Sequence, residues 1–339
     1  MEHSAKIGII GTGTWGTALA RMLSNSGHKV TAWSAIEADS DALRTTHVHK
    51  NLPGVTIPEE IEFTKDIEEV CTDKDILVFA VPSIYVRKTA EKAAPFIRDG
   101  QIIVDVAKGM ETDTMLSMTE VIADVLAQKR PGLKVHLVAL SGPTHAEEVA
   151  RDMPSTIVAA SSEMDIARYV QRVFSNSVMR VYTNSDIKGV EICGALKNIM
   201  AMAAGIAAGL GYGDNLRAAI ITRGLAEITR LGKAMGCQEQ TFAGLAGVGD
   251  LIVTATSKHS RNNRAGFLIG QGMSAQEAIK EVGMVVEGIN MLPAAMELMQ
   301  KYSVELPLAE AVNKVVFENV PPKQMYSALM EREFTDEVY

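Results

Sequence analysis

A lysine is rarely left fully buried unless a neighbour pairs with it or a reaction uses it. Lys197 lies with Asn198 in the middle of Gly189–Leu210, a stretch otherwise composed almost wholly of small and apolar residues. An amine in such a setting is a candidate general acid or base, because burial draws its pKa toward neutrality. Three other places carry compatible chemistry. Lys108 stands at the carboxyl end of the apolar run that starts at Gln101, and is either a ligand contact or a solvated loop lysine. Asp250 follows the glycine-rich segment from Gly244. It is either a helix cap or, if it faces Lys197, a carboxylate that holds the ammonium and tunes its pKa. Ser257–Arg264 crowds together Lys258, His259, Arg261 and Arg264. That run is either a solvated charged face or, with Ser260 as a cap, Arg261 and the amide of Asn262, a holder for phosphate or carboxylate.

The elements that must position these groups are legible in turn. Lys6–Ile10 reads as a short buried strand, followed by glycines at 11, 13 and 16 and the start of a helix. In this G-x-G-x-x-G arrangement Gly11 makes the tight turn, Gly13 lets backbone approach a pyrophosphate, and Gly16 lets helix and strand pack closely. A second strand follows from His28 to Trp33. At its end an acid favours NAD and an arginine NADP. Here the chain reads Trp33-Ser34-Ala35-Ile36-Glu37, with neither signal in the usual place and Glu37 read as a solvated helix-start residue, so the cofactor is NAD or NADP. Residues 38–70 read as a helical piece and a loop, with His47 and His49 exposed in that loop and not a metal pair. Further strands are expected from Asp75 to Pro82, Gln101 to Gly109, Val135 to Leu140, Ser155 to Ala160 and Met179 to Thr183. Tyr85, just past the first of these, either lies against a coenzyme ring or is simply half-buried.

Strands alternating with helices predict an α/β fold: an N-terminal Rossmann-like, doubly wound parallel sheet with additions at its end. After Asp186 strand signals stop and an all-helical C-terminal domain is expected. The boundary near 185–188 divides the chain into a dinucleotide-binding domain over 1–187 and a helical substrate and catalytic domain over 188–339. The 339 residues suffice for both cores. A net charge of -8 without a long basic run argues against nucleic-acid binding, while leaving room for one anionic substrate. Three dispersed cysteines (Cys71, Cys193 and Cys237) fit neither a disulfide framework nor a zinc site, and suit a reducing cytosol. Lys6 already lies in a strand pattern, which leaves no room for a signal peptide. The Gly189–Leu210 stretch alone has membrane-like length, and its polar centre favours a buried helix over a membrane span. No metal is expected.

Nine motifs stand in register: Gly11-Thr-Gly-Thr-Trp-Gly-Thr-Ala18, Val81-Pro-Ser83, Ala107-Lys-Gly109, Ser141-Gly-Pro-Thr144, Ala195-Leu-Lys-Asn198, Thr222-Arg-Gly-Leu-Ala-Glu227, Gly247-Val-Gly-Asp-Leu251, Ser260-Arg-Asn262 and Val285-Val-Glu-Gly288. In their order and spacing the chain resembles the bacterial NAD(P)-dependent glycerol-3-phosphate dehydrogenases over about residues 5–330. The resemblance implies a cytoplasmic oxidoreductase interconverting sn-glycerol 3-phosphate and dihydroxyacetone phosphate for phospholipid synthesis. It implies Lys197 as proton acceptor, with Lys108 and Asp250 beside it. Substrate contacts are implied for Lys108, Gly142, Thr144, Asn198, Asp250, Ser260, Arg261 and Asn262. Cofactor contacts are implied for Thr14, Trp15, Lys108, Ala146, Arg261, Val285 and Glu287, joined by the glycine loop and Tyr85. Thr14 replaces a frequent serine, and Ala35 a frequent basic residue. The alternatives are a related β-hydroxy acid dehydrogenase and a non-catalytic dinucleotide sensor; a homodimer is possible. The residues after Met330 match no motif and read as a frayed end.

Overall fold

Ile7, Ile9 and Ile10 are fully buried in the first strand, as befits a strand covered on both faces. The computed structural model describes residues 4–334, 336 and 337. Eight strands form one sheet: β1 (Lys6–Ile10), β2 (Lys29–Trp33), β3 (Glu62–Thr64), β4 (Ile76–Phe79), β5 (Gln101–Asp105), β6 (Val135–Ser141), β7 (Ser155–Ala160) and β8 (Met179–Asn184). Their order is β3-β2-β1-β4-β5-β6-β7-β8. The order reverses at β1, so the crevice beyond the ends of β1 and β4 is the topological switch point, where ligands bind in such sheets. One apolar cluster packs helices against one sheet face (Ile9, Leu19, Leu23, Val138), and another covers the opposite face (Phe79, Val86, Val121).

Two features depart from expectation. Residues 38–70 contain β3 and a short helix, Ile67–Cys71, besides the expected helix and loop. β3 is three residues long, too short for its alternation to stand out. The join between β6 and β7 is antiparallel, unlike the other pairings in the sheet. A parallel return needs a full crossover helix. Residues 142–154 supply only the four-residue helix Ala146–Val149, and Gly142 O in the loop before it accepts from Lys108 Nζ.

The last strand ends at Asn184, and the described residues beyond it are helical or loop. The central helix, Ile187–Gly209, is capped by Asp186, whose carboxylate accepts from Gly189 N. Every residue from Gly189 to Ala207 is buried, including Glu191, Lys197 and Asn198. The helix is long and apolar enough to cross a bilayer, but 89% of its most apolar window is buried inside the protein. Helices Asp214–Ala234, Asp250–Thr256, Arg261–Gly270, Glu287–Tyr302 and Pro307–Phe317 surround it. Glu227, from the Thr222–Glu227 motif, has a structural position: its carboxylate accepts from Leu308 N and Ala309 N and so caps the Pro307–Phe317 helix. The expected frayed end carries an Arg332–Glu305 ion pair at 2.9 Å; Thr335, Val338 and Tyr339 of that segment lie outside the described residues.

Candidate active site

Lys197 sits midway along the central helix, on the turn after Gly194. Gly194 matters because a Cβ there would lie 3.2 Å from Ser141 Oγ and 3.4 Å from Lys108 Cγ. The helix therefore lies directly over the ends of β5 and β6. Asp250 reaches the same point from a separate element. A π turn over Leu245–Gly249 precedes it, and helix Asp250–Thr256 begins with it. The cap position belongs to Gly249, so Asp250 is not the cap. Its fully buried side chain points inward instead, to Lys197 of the central helix.

The three groups meet. Lys197 Nζ donates to Asp250 Oδ1 at 2.6 Å, and Lys108 Nζ to Asp250 Oδ2 at 2.7 Å. Lys197 also donates to Thr254 Oγ1, and Lys108 to Gly142 O at 3.1 Å. Thr254 Oγ1 donates in turn to Asp250 O, which leaves its lone pairs for the ammonium. Each ammonium has three donors and spends two on protein, so one on each remains for a substrate oxygen. Burial drives the Lys197 pKa down to about 7; Lys108 pushes the same way and Asp250 opposes. Burial raises the Asp250 carboxyl, but the two ammonium groups outweigh it and hold the pKa below the ordinary value.

A polar chain runs from this centre to the charged segment. Asn198 Nδ2 donates to Lys108 O at 3.1 Å, and Asn262 Nδ2 to Asn198 Oδ1 at 2.9 Å. Gly288 N donates to Asn262 Oδ1 at 2.8 Å. Both ends of the Asn262 amide thus bond to protein, which leaves one Nδ2 hydrogen and the backbone uncommitted. Ser260 caps helix Arg261–Gly270, accepting from Asn263 N at 3.2 Å, and no acid stands in the first turn. Arg261 is exposed, with no hydrogen bond or ion pair among the described residues. A capped helix start next to a free guanidinium suits a phosphate. Lys258 and His259 are exposed, and Arg264 lies 3.6 Å from Glu281.

The glycine loop fits a dinucleotide. Gly11 has φ 120°, and a Cβ there would lie 2.6 Å from Ala80 O. A Cβ on Gly16 would lie 2.0 Å from Gly11 O, whereas one on Gly13 meets nothing within 4 Å. The open space is therefore over Gly13, where a pyrophosphate must approach. α1 (Thr14–Asn25) starts there with no side-chain cap and no acid in its first turn, so its N–H groups are free for an anion. Thr14 Oγ1 accepts from Asn51 Nδ2 at 3.3 Å, and Trp15 is part-buried beside it. Tyr85 is half-exposed beyond β4, while Thr144 and Ala146 line the β6 loop. Glu287 joins the two halves: its carboxylate accepts from Ser83 N at 3.0 Å and from Ser83 Oγ. Val285, two residues earlier, is part-exposed.

Three placements were not legible in the sequence. His49 is buried, not exposed, with Nε2 3.2 Å from Thr12 O and Nδ1 accepting from Asn51 N, so it supports the glycine loop from behind. Thr254 lies one helical turn after Asp250, a spacing that could have flagged it. His145 Nε2 is buried with no hydrogen-bond partner among the described residues, and its ring centre lies 5.8 Å from that of His259. Burial and then Lys197 lower the His145 pKa. Among the described residues no group of three or more His, Cys, Asp or Glu side chains could hold a metal ion.

A glycine cradle at the switch point and a buried lysine beside an anion-ready helix start define a two-domain nicotinamide-dependent dehydrogenase. Residues 6–167 match the family model of the NAD-dependent glycerol-3-phosphate dehydrogenase N-terminus, and residues 186–327 that of the C-terminus. The chain belongs to this family. It is 63% identical to glycerol-3-phosphate dehydrogenase (NAD(P)+) 2 of Lactobacillus delbrueckii subsp. bulgaricus, over 98% of this chain and 99% of that one. It is 51% identical to the Agathobacter rectalis glycerol-3-phosphate dehydrogenase (NAD(P)+), over 97% and 96%. The crystal structure of glycerol-3-phosphate dehydrogenase from Coxiella burnetii superposes with a TM-score of 0.90 at 34% identity, over 97% of this chain and 99% of that one.

Proposed function

We propose that the chain interconverts sn-glycerol 3-phosphate and dihydroxyacetone phosphate with NAD(H) or NADP(H). The observation that carries this reading is the Lys197–Asp250–Lys108 cluster, joined by the Asn198–Asn262 chain to the capped helix start at Arg261. A dinucleotide held at the Gly11–Gly16 loop would supply hydride-transfer chemistry at substrate C2. The protein's groups handle the proton and the charge. Arg261 and the backbone N–H groups at its helix start hold the substrate phosphate. The free donors of Lys197 and Lys108 converge on the C2 oxygen. In oxidation neutral Lys197 takes the hydroxyl proton; in reduction its ammonium returns it, with Lys108 polarising the carbonyl. Asp250 and Thr254 aim Lys197, and Glu287 holds the two halves around the coenzyme.

The same reading assigns residues 1–187 to coenzyme binding and 188–339 to substrate and catalysis, in a cytoplasmic enzyme that supplies phospholipid synthesis. It includes a homodimer, which the exposed Phe317 and Met330 of the last helices support. Sedimentation of the purified chain at the monomer mass would remove that part. The activity itself is tested by following NADH and NADPH absorbance with dihydroxyacetone phosphate. Loss of absorbance that depends on this ketone is the expected result, and its absence with both coenzymes overturns the reading.

A further inference from the structure

The end of β2 receives the adenosine ribose in a sheet of this order. Ser34 is buried there, its Oγ accepting from Ile36 N at 3.1 Å, and Ala35 offers no polar side-chain atom. Ile36 follows with 60% of its surface exposed, an apolar face beside the ribose position. Helix Glu37–Thr46 then begins, with Glu37 and Asp39 in its first turn and Asp41 just behind. The positive end of that helix is thus already answered by carboxylates.

The nearby cations are turned toward those acids. Lys65 Nζ, just past β3, lies 2.6 Å from Asp41 Oδ2 and 3.7 Å from Glu37 Oε2. Arg44 reaches Asp41 Oδ1 at 3.0 Å, and Lys50 reaches Asp39 Oδ1 at 3.3 Å. Three acids therefore meet three cations, and no cation among them is left over for a dianionic 2′-phosphate. A 2′-hydroxyl needs only an acceptor. Glu37, exposed and held loosely at 3.7 Å, can supply one.

We propose that the ribose end of this site selects NAD(H) over NADP(H), with Glu37 and the cation-free Ser34-Ala35-Ile36 segment as the discriminating residues. The inference rests on the coenzyme-binding part of the proposed function and not on its substrate. The 2′-phosphate would enter beside Glu37 and Asp39 with no unpaired guanidinium or ammonium to meet it. Repulsion of this kind between partly solvated charges gives about tenfold discrimination, which also makes it sensitive to salt.

The test is direct titration of the intact chain with NADH and with NADPH, read by the fluorescence of the reduced nicotinamide, and repeated with Ala35→Arg and Glu37→Lys. The expected result is a Kd about tenfold lower for NADH, with the ratio narrowing or reversing in both variants as NADPH binding tightens. Equal or tighter NADPH binding by the unaltered chain overturns the proposal, as does a ratio that neither variant moves. Should NADH bind preferentially while dihydroxyacetone phosphate is not reduced, the substrate reading fails and this inference stands. Should neither coenzyme bind, both fall.

Discussion

Lys197 illustrates how surroundings can equip a residue for chemistry. In water an amine near its reference pKa of about 10.4 is a poor base at neutral pH. Here burial lowers the value to about 7, so both protonation states are populated near neutral pH. The consequence has opposite signs in the two directions. Under the proposed mechanism reduction needs the ammonium, so its rate falls as pH rises above about 7; oxidation needs the amine, so its rate falls as pH drops below about 7. Rate profiles taken in both directions must cross in this way. Replacement Lys197→Ala is expected to lower kcat by roughly 10² or more while coenzyme still binds; a near-normal kcat would remove Lys197 from the chemistry. Arg261 behaves differently. Arg261 makes no hydrogen bond or ion pair among the described residues and feels only the more distant charges of Glu287 and Glu147, so Arg261→Ala should leave stability within about 0.5 kcal/mol. Its KM for the phosphorylated substrate should rise about tenfold or more, the loss of one charged contact. An unchanged KM would place the phosphate elsewhere.

At the scale of elements, the central helix and the Arg261–Gly270 helix are registered by glycines. A Cβ on Gly205 would lie 2.1 Å from Asn263 O, and one on Gly209 would lie 2.2 Å from Phe267 O. From the other helix, a Cβ on Gly266 would lie 2.2 Å from Met202 O and one on Gly270 would lie 2.3 Å from Ile206 O. Each helix thus presents small residues four apart, and the two backbones touch. The obstacles are backbone atoms, so an added methyl cannot be absorbed by a rotamer change. Gly205→Ala or Gly266→Ala should cost about 1–3 kcal/mol, seen as a lower Tm. Because the moved helix carries Arg261 at its start, substrate KM should rise as well. A variant with unaltered Tm and KM would show that this contact does not set the register.

At the scale of the molecule, the two halves are tied by buried polar contacts rather than by a linker. Glu191, on the central helix, accepts from Thr119 N at 2.8 Å, Thr119 Oγ1 at 2.7 Å and Ser117 Oγ at 2.7 Å. It thereby grips the start of the Met118–Lys129 helix in the other half. Burial raises its pKa from 4.5 to about 7 against the pull of those hydrogen bonds. The folded state therefore holds this proton more tightly than the unfolded chain. Between pH 4.5 and about 7 the unfolded chain loses its proton first, so this group's contribution to stability is lost as pH rises through that window. Urea unfolding of Glu191→Gln should lack this component, and the native protein should lose ground to the variant across the same range. A constant difference between the two would show that Glu191 does not titrate there. Glu191→Ala should cost about 1–3 kcal/mol at either end, because it leaves Thr119 N without its acceptor.

The sequence by itself determined the sheet-then-helix order, the glycine cradle and the suspicion that fell on Lys197. Those signals are local: periodicity, turn chemistry and a charge in an apolar run are properties of neighbouring residues. It also showed Asp250, but only as a choice between cap and partner. Only the tertiary structure decided that choice, since Asp250 meets Lys197 across 53 residues of chain and Lys108 across 142. The same holds for Thr254 behind Lys197, for the inward-turned Asn262 amide, for Glu287 on Ser83 and for His49 beneath the glycine loop. β3 escaped notice because three residues carry too little alternation, and its strand geometry comes from pairing with β2. Residue types announce what chemistry is available, whereas distances between remote segments follow from how the sheet and helices pack, and that packing is written in no single stretch of the chain.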